Sequence, residues 1–228
     1  MTIEIRPASG RAATRDGGRA TFHSFSFGAH YDPGNTGFGT LVALNDEHLP
    51  AGTGYDDHPH RDTEIVTWVI EGVLRHHDSE LGTRDLGPGS VLRTSAGSGI
   101  VHSERSAYAG TTRFLQAWLR PDEPGLAPSL AAVDLHPQGA FAEVVGPEGL
   151  PIGTAGTRLG LGRVDGRLVL PDAPRLHLLV VAGEVGLGER ELGPGDAARL
   201  VDEGGRELRT SGAATIAVWS FADAVRPG

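Results

Sequence analysis

Two residue types are missing from this 228-residue chain: there is no cysteine, and all 20 basic residues are arginine. Without a thiol there is no thiolate nucleophile, iron–sulfur cluster, thiolate-bound zinc or disulfide framework. Without lysine there is no Schiff base to a carbonyl or to pyridoxal phosphate, and no lysine for a phosphate-cradling loop. Long apolar runs are missing too, since none approaches the ~18 residues of a membrane span. The opening MTIEIRPASGR has no apolar signal core, so a cytoplasmic protein with no membrane partner is expected. The net charge of −9, with arginines scattered, argues against direct binding of nucleic acid, which needs clustered cations. What remains for catalysis or metal binding is oxygen and imidazole chemistry, and the chain carries ten histidines.

Glycine is abundant, 34 residues or about twice its ordinary share, and 15 prolines accompany it. Many tight turns imply many short strands. Apolar runs of strand length recur at Gly39 to Leu44, Ile65 to Ile70, Ser90 to Arg93, Thr112 to Leu119, Leu176 to Val181 and Thr215 to Phe221, whereas no long stretch has a helical period. The expected class is all-β with few short helices. The segment Glu71-Gly72-Val73 … Arg84-Asp85-Leu86-Gly87-Pro88-Gly89 resembles Ala182-Gly183-Glu184 … Arg190-Glu191-Leu192-Gly193-Pro194-Gly195, and Gln116-Ala117-Trp118 echoes Ala217-Val218-Trp219. Repeats about a hundred residues apart indicate a duplicated domain, with a boundary near residue 125.

Chemistry concentrates in DDHPHRDTEIVTWVIEG (56–72) and SAGSGIVHSERS (95–106). His58 and His60 have the i, i+2 spacing that puts both rings on one face of a strand, and His102 and Glu104 repeat it. On neighbouring strands the two pairs would offer three imidazole nitrogens and one carboxylate to a divalent first-row metal. A His-x-His pair alone is commonly a surface feature. A second pair ending in a glutamate adds weight, because an isolated buried Glu is costly without a partner. His76 and His77 are adjacent, so their rings point to opposite faces, and a solvated strand end is expected there. His23, His30, His48, His136 and His177 lack an alternating partner and are expected to be structural or exposed. No serine sits in a Gly-x-Ser-x-Gly elbow, and Gly97-Ser98-Gly99 lacks the last glycine of a dinucleotide fingerprint.

The strings HPHRDTEIVTWVIEG, LGPGSVLRTSAGSGIVHSE and FSFGAHYDPGNTGFGTLVALNDEHLPAGTG resemble the pirin family of the cupin superfamily and its bacterial members described as quercetin 2,3-dioxygenase-like. The resemblance is close over residues 20 to 120 and looser beyond. It implies a bicupin of two antiparallel β-barrels (double-stranded β-helices): a metal-binding domain over 1–125 and a degenerate one over 126–228. The implied metal ligands are His58, His60, His102 and Glu104. Glu64, where many cupins place a ligand, is disfavoured by the seven rather than six residues that separate it from Gly72. Aligning Gly183 with Gly72 sets Val169 and Pro171 opposite His58 and His60, and neither can ligate. The implied cofactor is one divalent transition metal ion, Fe(II) first, with Ni, Mn, Cu, Co or Zn as alternatives. The implied activity is oxygenolytic cleavage of a flavonol such as quercetin, through its enolate bound to the metal, with Glu104 as ligand and acceptor of the substrate hydroxyl proton. The expected partners are then a phenolic small molecule and O2, on a monomer. The alternative carried by the same resemblance is a non-enzymatic iron-binding regulator or redox sensor acting through protein partners; a cupin isomerase or an inactive bicupin is a third.

Overall fold

Period-two alternation builds nearly all the regular structure: in Leu74–Asp78, Leu74, His76 and Asp78 are buried while Arg75 and His77 face water. The computed structural model describes residues 1–80, 82–136 and 139–222. Among them there are 21 strands, one 3-10 turn (Ala8–Gly10) and no α-helix. None is a helix long and apolar enough to cross a membrane. The strands of the N-terminal half are β1 (Thr2–Arg6), β2 (Ala12–Asp16), β3 (Arg19–His23), β4 (Leu41–Leu49), β5 (Gly54–His60) and β6 (Glu64–Glu71), followed by β7 (Leu74–Asp78), β8 (Gly82–Leu86), β9 (Ser90–Ser95), β10 (Ile100–Ser106), β11 (Thr112–Leu119) and β12 (Ser129–Asp134). The C-terminal half has β13 (Ala142–Val145), β14 (Thr157–Val164), β15 (Arg167–Val169), β16 (Arg175–Ala182), β17 (Val185–Leu187), β18 (Arg190–Leu192), β19 (Ala197–Val201), β20 (Glu207–Arg209) and β21 (Ala214–Phe221).

Contacts divide the chain into two units, one of Ala12–Pro137 with Ile152–Thr154 and one of Met1–Arg11, Gln138–Pro151 and Ala155–Gly228. The first contains a seven-stranded sheet, β12-β9-β6-β11-β4-β3-β2, and a four-stranded sheet, β5-β10-β7-β8. The second contains β1-β19-β16-β21-β14-β13 and β15-β20-β17-β18. The two orders correspond strand for strand except that β2 has no counterpart in the second unit, and every pairing of these strands is antiparallel, as the duplication and the all-β expectation require. The N-terminal strand does not stay with the N-terminal unit. β1 pairs with β19 at the place that β12 takes beside β9, so the large sheet of the second unit has its edge covered by a strand from the far end of the chain.

The repeated turns do the same work twice. Gly72 and Gly183 have φ of 77° and 75°, and a Cβ on either would come within 2.8 Å of a backbone Cα, that of Thr112 or Ala214. The Gly89 amide donates to the Val69 carbonyl and the Gly195 amide to that of Val180, both at 2.8 Å. The tryptophan echo, however, is one residue out of register. Thr67 pairs with Gln116 and Leu178 with Val218, so Gln116 corresponds to Val218 and Trp118 to Ser220. A shift of one residue on a strand changes the face, which puts Trp118 and Trp219 on opposite sides of their sheets.

The two interiors differ in chemistry. Leu176, Leu178, Val180, Val185, Leu187, Leu208, Ile216 and Val218 fill the second unit. In the first, an apolar cluster of Leu49, Val69, Leu74, Leu86, Leu92 and Phe114 shares the interior with buried His23, Asn45, Glu47, His76, His102, Glu104 and Gln116. By register, Leu187, Leu208 and Val218 stand where the first unit has His76, Glu104 and Gln116.

Candidate metal centre

β5 and β10 lie side by side with His102 directly opposite His58. Cross-strand neighbours on one face approach closely, and here the ring centroids of His58 and His102 are 4.4 Å apart, His60 and His102 4.8 Å, and His58 and His60 5.0 Å. One ring nitrogen from each of the three falls within 4.8 Å of the others. Beyond His102 the register slips, so that Glu104 pairs with Tyr55, and this bulge leaves β5 one residue longer than its partner. Glu104 meets His102 and His76 in a second group of the same span. The structure therefore places the four residues singled out by spacing in two overlapping groups, His58 and His60 in one and Glu104 with His76 in the other, with His102 common to both. Glu64 is elsewhere: it is buried and accepts a 2.7 Å hydrogen bond from Ser95.

The protonation states suit ligation. His58 Nδ1 donates to the Asp56 carbonyl at 2.7 Å, which leaves Nε2 with its lone pair directed away from the backbone. Burial pushes the His60 and His102 imidazoles down to about 4, so both are neutral at pH 7. Burial acts on Glu104 in the opposite sense, but the His76 ring, His102 and Gln116 outweigh it and hold the carboxyl at about 2. Gln116 Nε2 is 2.9 Å from each Glu104 oxygen, and its own Oε1 accepts the Trp118 indole N–H at 3.0 Å, which fixes the amide's orientation. The result is a fully buried carboxylate beside the neutral His102 ring. His60 Nε2 and both ring nitrogens of His102 and His76 are buried with no hydrogen-bond partner. Orphaned groups of this kind cost about 1–3 kcal/mol each. A divalent cation would satisfy the nitrogens and neutralise the carboxylate, so the donor set fits a metal ion.

The centre opens on a cavity of about 260 Å³. Phe27, Tyr55 and Trp118 supply flat apolar walls, and Thr14, Thr21, His23, Asn45 and Glu47 supply polar groups. His23 is locked, with Nδ1 on Asn45 at 2.9 Å, Nε2 on Thr14 at 2.8 Å and its ring stacked on Phe27. Glu47 is 3% exposed and accepts hydrogen bonds from Thr21 Oγ1 and Tyr55 Oη.

The model of the family described as Pirin matches residues 6–119, half of the chain. The chain belongs to the pirin family. A Mycobacterium tuberculosis protein provisionally named quercetin 2,3-dioxygenase is 40% identical over 96% of this chain and 95% of its own length. The Escherichia coli K12 quercetin 2,3-dioxygenase is 39% identical over 55% of each chain. The crystal structure of the Escherichia coli bacterial pirin YhhW in complex with nickel(II) superposes with a TM-score of 0.90 over 97% of this chain and 99% of that one, at 28% identity. The bicupin architecture expected from the sequence is thus the architecture found.

One expectation about the histidines is corrected. His76 is not at a solvated strand end: it is 1% exposed, with Nδ1 3.8 Å from Glu104 and Nε2 3.9 Å from Asp78, and only His77 faces out, on Thr83. The alternation Leu74, His76, Asp78 carried the signal, but reading the two histidines as a pair hid it. His23, expected to be structural or exposed, is buried and structural, held by Thr14 and Asn45 on the neighbouring strands β2 and β4. Gln116 and Glu47 lie on β11 and β4, strands buried along most of their length, where sequence period does not separate the faces.

Proposed function

We propose that the chain is a metal-dependent dioxygenase that cleaves a flavonol such as quercetin with O2. The observation that carries the proposal is the set of inward histidines and one buried carboxylate, with unpartnered nitrogens, at the wall of an aromatic-lined cavity. His58, His60, His102 and Glu104 would hold one divalent ion; Fe(II) is the first choice, and nickel is the ion in the related YhhW structure. Such an ion would supply Lewis acidity toward neighbouring substrate oxygens and a path for electrons to O2.

The protein's own contribution is positioning. Phe27, Tyr55 and Trp118 take the faces of a planar phenol, and Asn45, Thr14 and Thr21 meet its hydroxyls. Gln116 keeps Glu104 ionised and oriented, while burial keeps His60 and His102 neutral so that ligation needs no proton release. The relatives' names support quercetin as the first substrate to try. The test is O2 uptake and carbon monoxide release from quercetin by the protein loaded with stoichiometric Fe(II) or Ni(II). Loaded protein that leaves quercetin untouched would refute the flavonol dioxygenase reading.

A further inference from the structure

A phenol must lose a proton before it reacts with O2, and the group that takes it must have a carboxylate oxygen to spare. Glu104 has none free in this arrangement: Gln116 reaches both of its oxygens, and the carboxylate is committed to the histidine cluster. Glu47 stands on another wall of the same cavity. Thr21 Oγ1 at 2.6 Å and Tyr55 Oη at 2.7 Å both donate to its Oε2, and no hydrogen bond among the described residues reaches Oε1. One oxygen is anchored and the other is available. We propose that Glu47, not Glu104, accepts the hydroxyl proton of the bound phenolic substrate. The inference rests on the reading of this cavity as a phenol site.

The surroundings of Glu47 suit a proton carrier. Thr21 reaches it from β3, where Arg19 lies over the Tyr55 ring; Tyr55 and His58 line the same cavity from β5 and Glu104 from β10; Asp46, its chain neighbour, is hydrogen-bonded to Arg113 and lies 3.1 Å from the His48 ring. No cation among the described residues bonds to the carboxyl. Burial raises its pKa to about 7, the hydrogen bonds from Thr21 and Tyr55 offsetting part of the rise and the charges of Glu104 and Asp46 adding to it. A base with that affinity is half ionised at neutral pH and both takes and returns a proton readily. In the step, the substrate O–H bond breaks and an O–H bond forms at Glu47 Oε1. The same proton returns to the acid of the ring-opened product, so the cycle needs no reactant beyond the flavonol and O2.

The experiment uses metal-loaded protein with quercetin under argon, read by the absorption band of the flavonol anion. Wild type should bind quercetin as the anion at pH 7. Glu47→Gln, with its metal content unchanged, should bind it neutral, and under air its kcat should fall about 10²- to 10⁴-fold with little change in KM. Its kcat/KM should also lose the acid limb near pH 7, and Glu47→Asp should restore part of the anion band. An undiminished anion band in metal-replete Glu47→Gln would overturn the proposal. If that variant drops its metal or fails to fold, Glu47→Asp decides: an anion band in proportion to bound quercetin supports the assignment, and neutral bound quercetin overturns it. If wild type forms the anion through Glu47 yet consumes no O2, the dioxygenase reading fails and the proton assignment stands. Quercetin that does not bind at all overturns both.

Discussion

Replacing Gln116 by leucine isolates the amide's role, because the volume is nearly kept while both of its polar functions go. In the native arrangement Nε2 serves each Glu104 oxygen at 2.9 Å and Oε1 receives the Trp118 indole N–H at 3.0 Å. A hydrogen bond to a charged group is worth about 1.5–3 kcal/mol, and the Trp118 donor would lose its acceptor as well. In a metal site, loss of the group that orients a ligand weakens binding by about 10–100-fold, equivalent to roughly 1.4–2.7 kcal/mol. Competition for nickel(II) between the protein and a chromogenic chelator at pH 7 measures this directly. Gln116→Leu should raise Kd by that factor. Arg75→Ala, which breaks the exposed Arg75–Asp85 ion pair on the outward face of β7, should change it less than about twofold. An unchanged Kd in folded Gln116→Leu would show that Glu104 needs no such support, or is not a ligand.

Three further outcomes follow from the same geometry. His102→Ala removes the ring shared by both ligand groups, so elemental analysis should find less than a tenth of the wild-type metal; full retention in Glu104→Ala would move the carboxylate assignment elsewhere. The raised pKa of Glu47 makes stability pH-dependent: below about 4.5 folded and unfolded chains are both protonated, between 4.5 and about 7 only the unfolded chain loses its proton, and stability falls by on the order of 3 kcal/mol before levelling off. Denaturant titrations of metal-depleted protein at pH 4.5 and pH 8 read this component as a difference, because the lowered pKa values of His60 and His102 raise stability over the same range in both proteins: from pH 4.5 to pH 8 Glu47→Gln should gain on the order of 3 kcal/mol relative to wild type, and parallel behaviour would refute it. Gly72→Ala should cost about 2 kcal/mol or more in thermal unfolding, since φ is +77° and the new Cβ would meet Thr112 Oγ1 at 2.6 Å; a neutral result would mean that the turn can shift.

Local pattern carried much of this protein. The strand Thr112–Leu119 was legible to the residue, because its apolar run is bounded by turn residues, and the His58/His60 and His102/Glu104 pairs were legible because a period of two assigns a face without any knowledge of the partner strand. The copies of the Gly-Pro-Gly turn revealed the duplication, since the second glycine of each, Gly89 or Gly195, has a φ of 91° or 85° that leaves few alternatives to glycine.

Other features depend on which strands become neighbours. The register of β10 against β7 brings His76 to Glu104, and that of β11 against β6 brings Gln116 beneath the same carboxylate; neither partner is close in sequence. The sheet edge taken by β1 is likewise a long-range choice, and it joins the first strand of the chain to its C-terminal half. The sequence by itself marked the longer apolar strands, and the shared face and chemical kind of the candidate ligands, because those follow from spacing along one strand. The tertiary structure decided which buried groups support the site and which carboxylate is free to carry a proton, because hydrogen-bond partners and burial are set by pairing across strands.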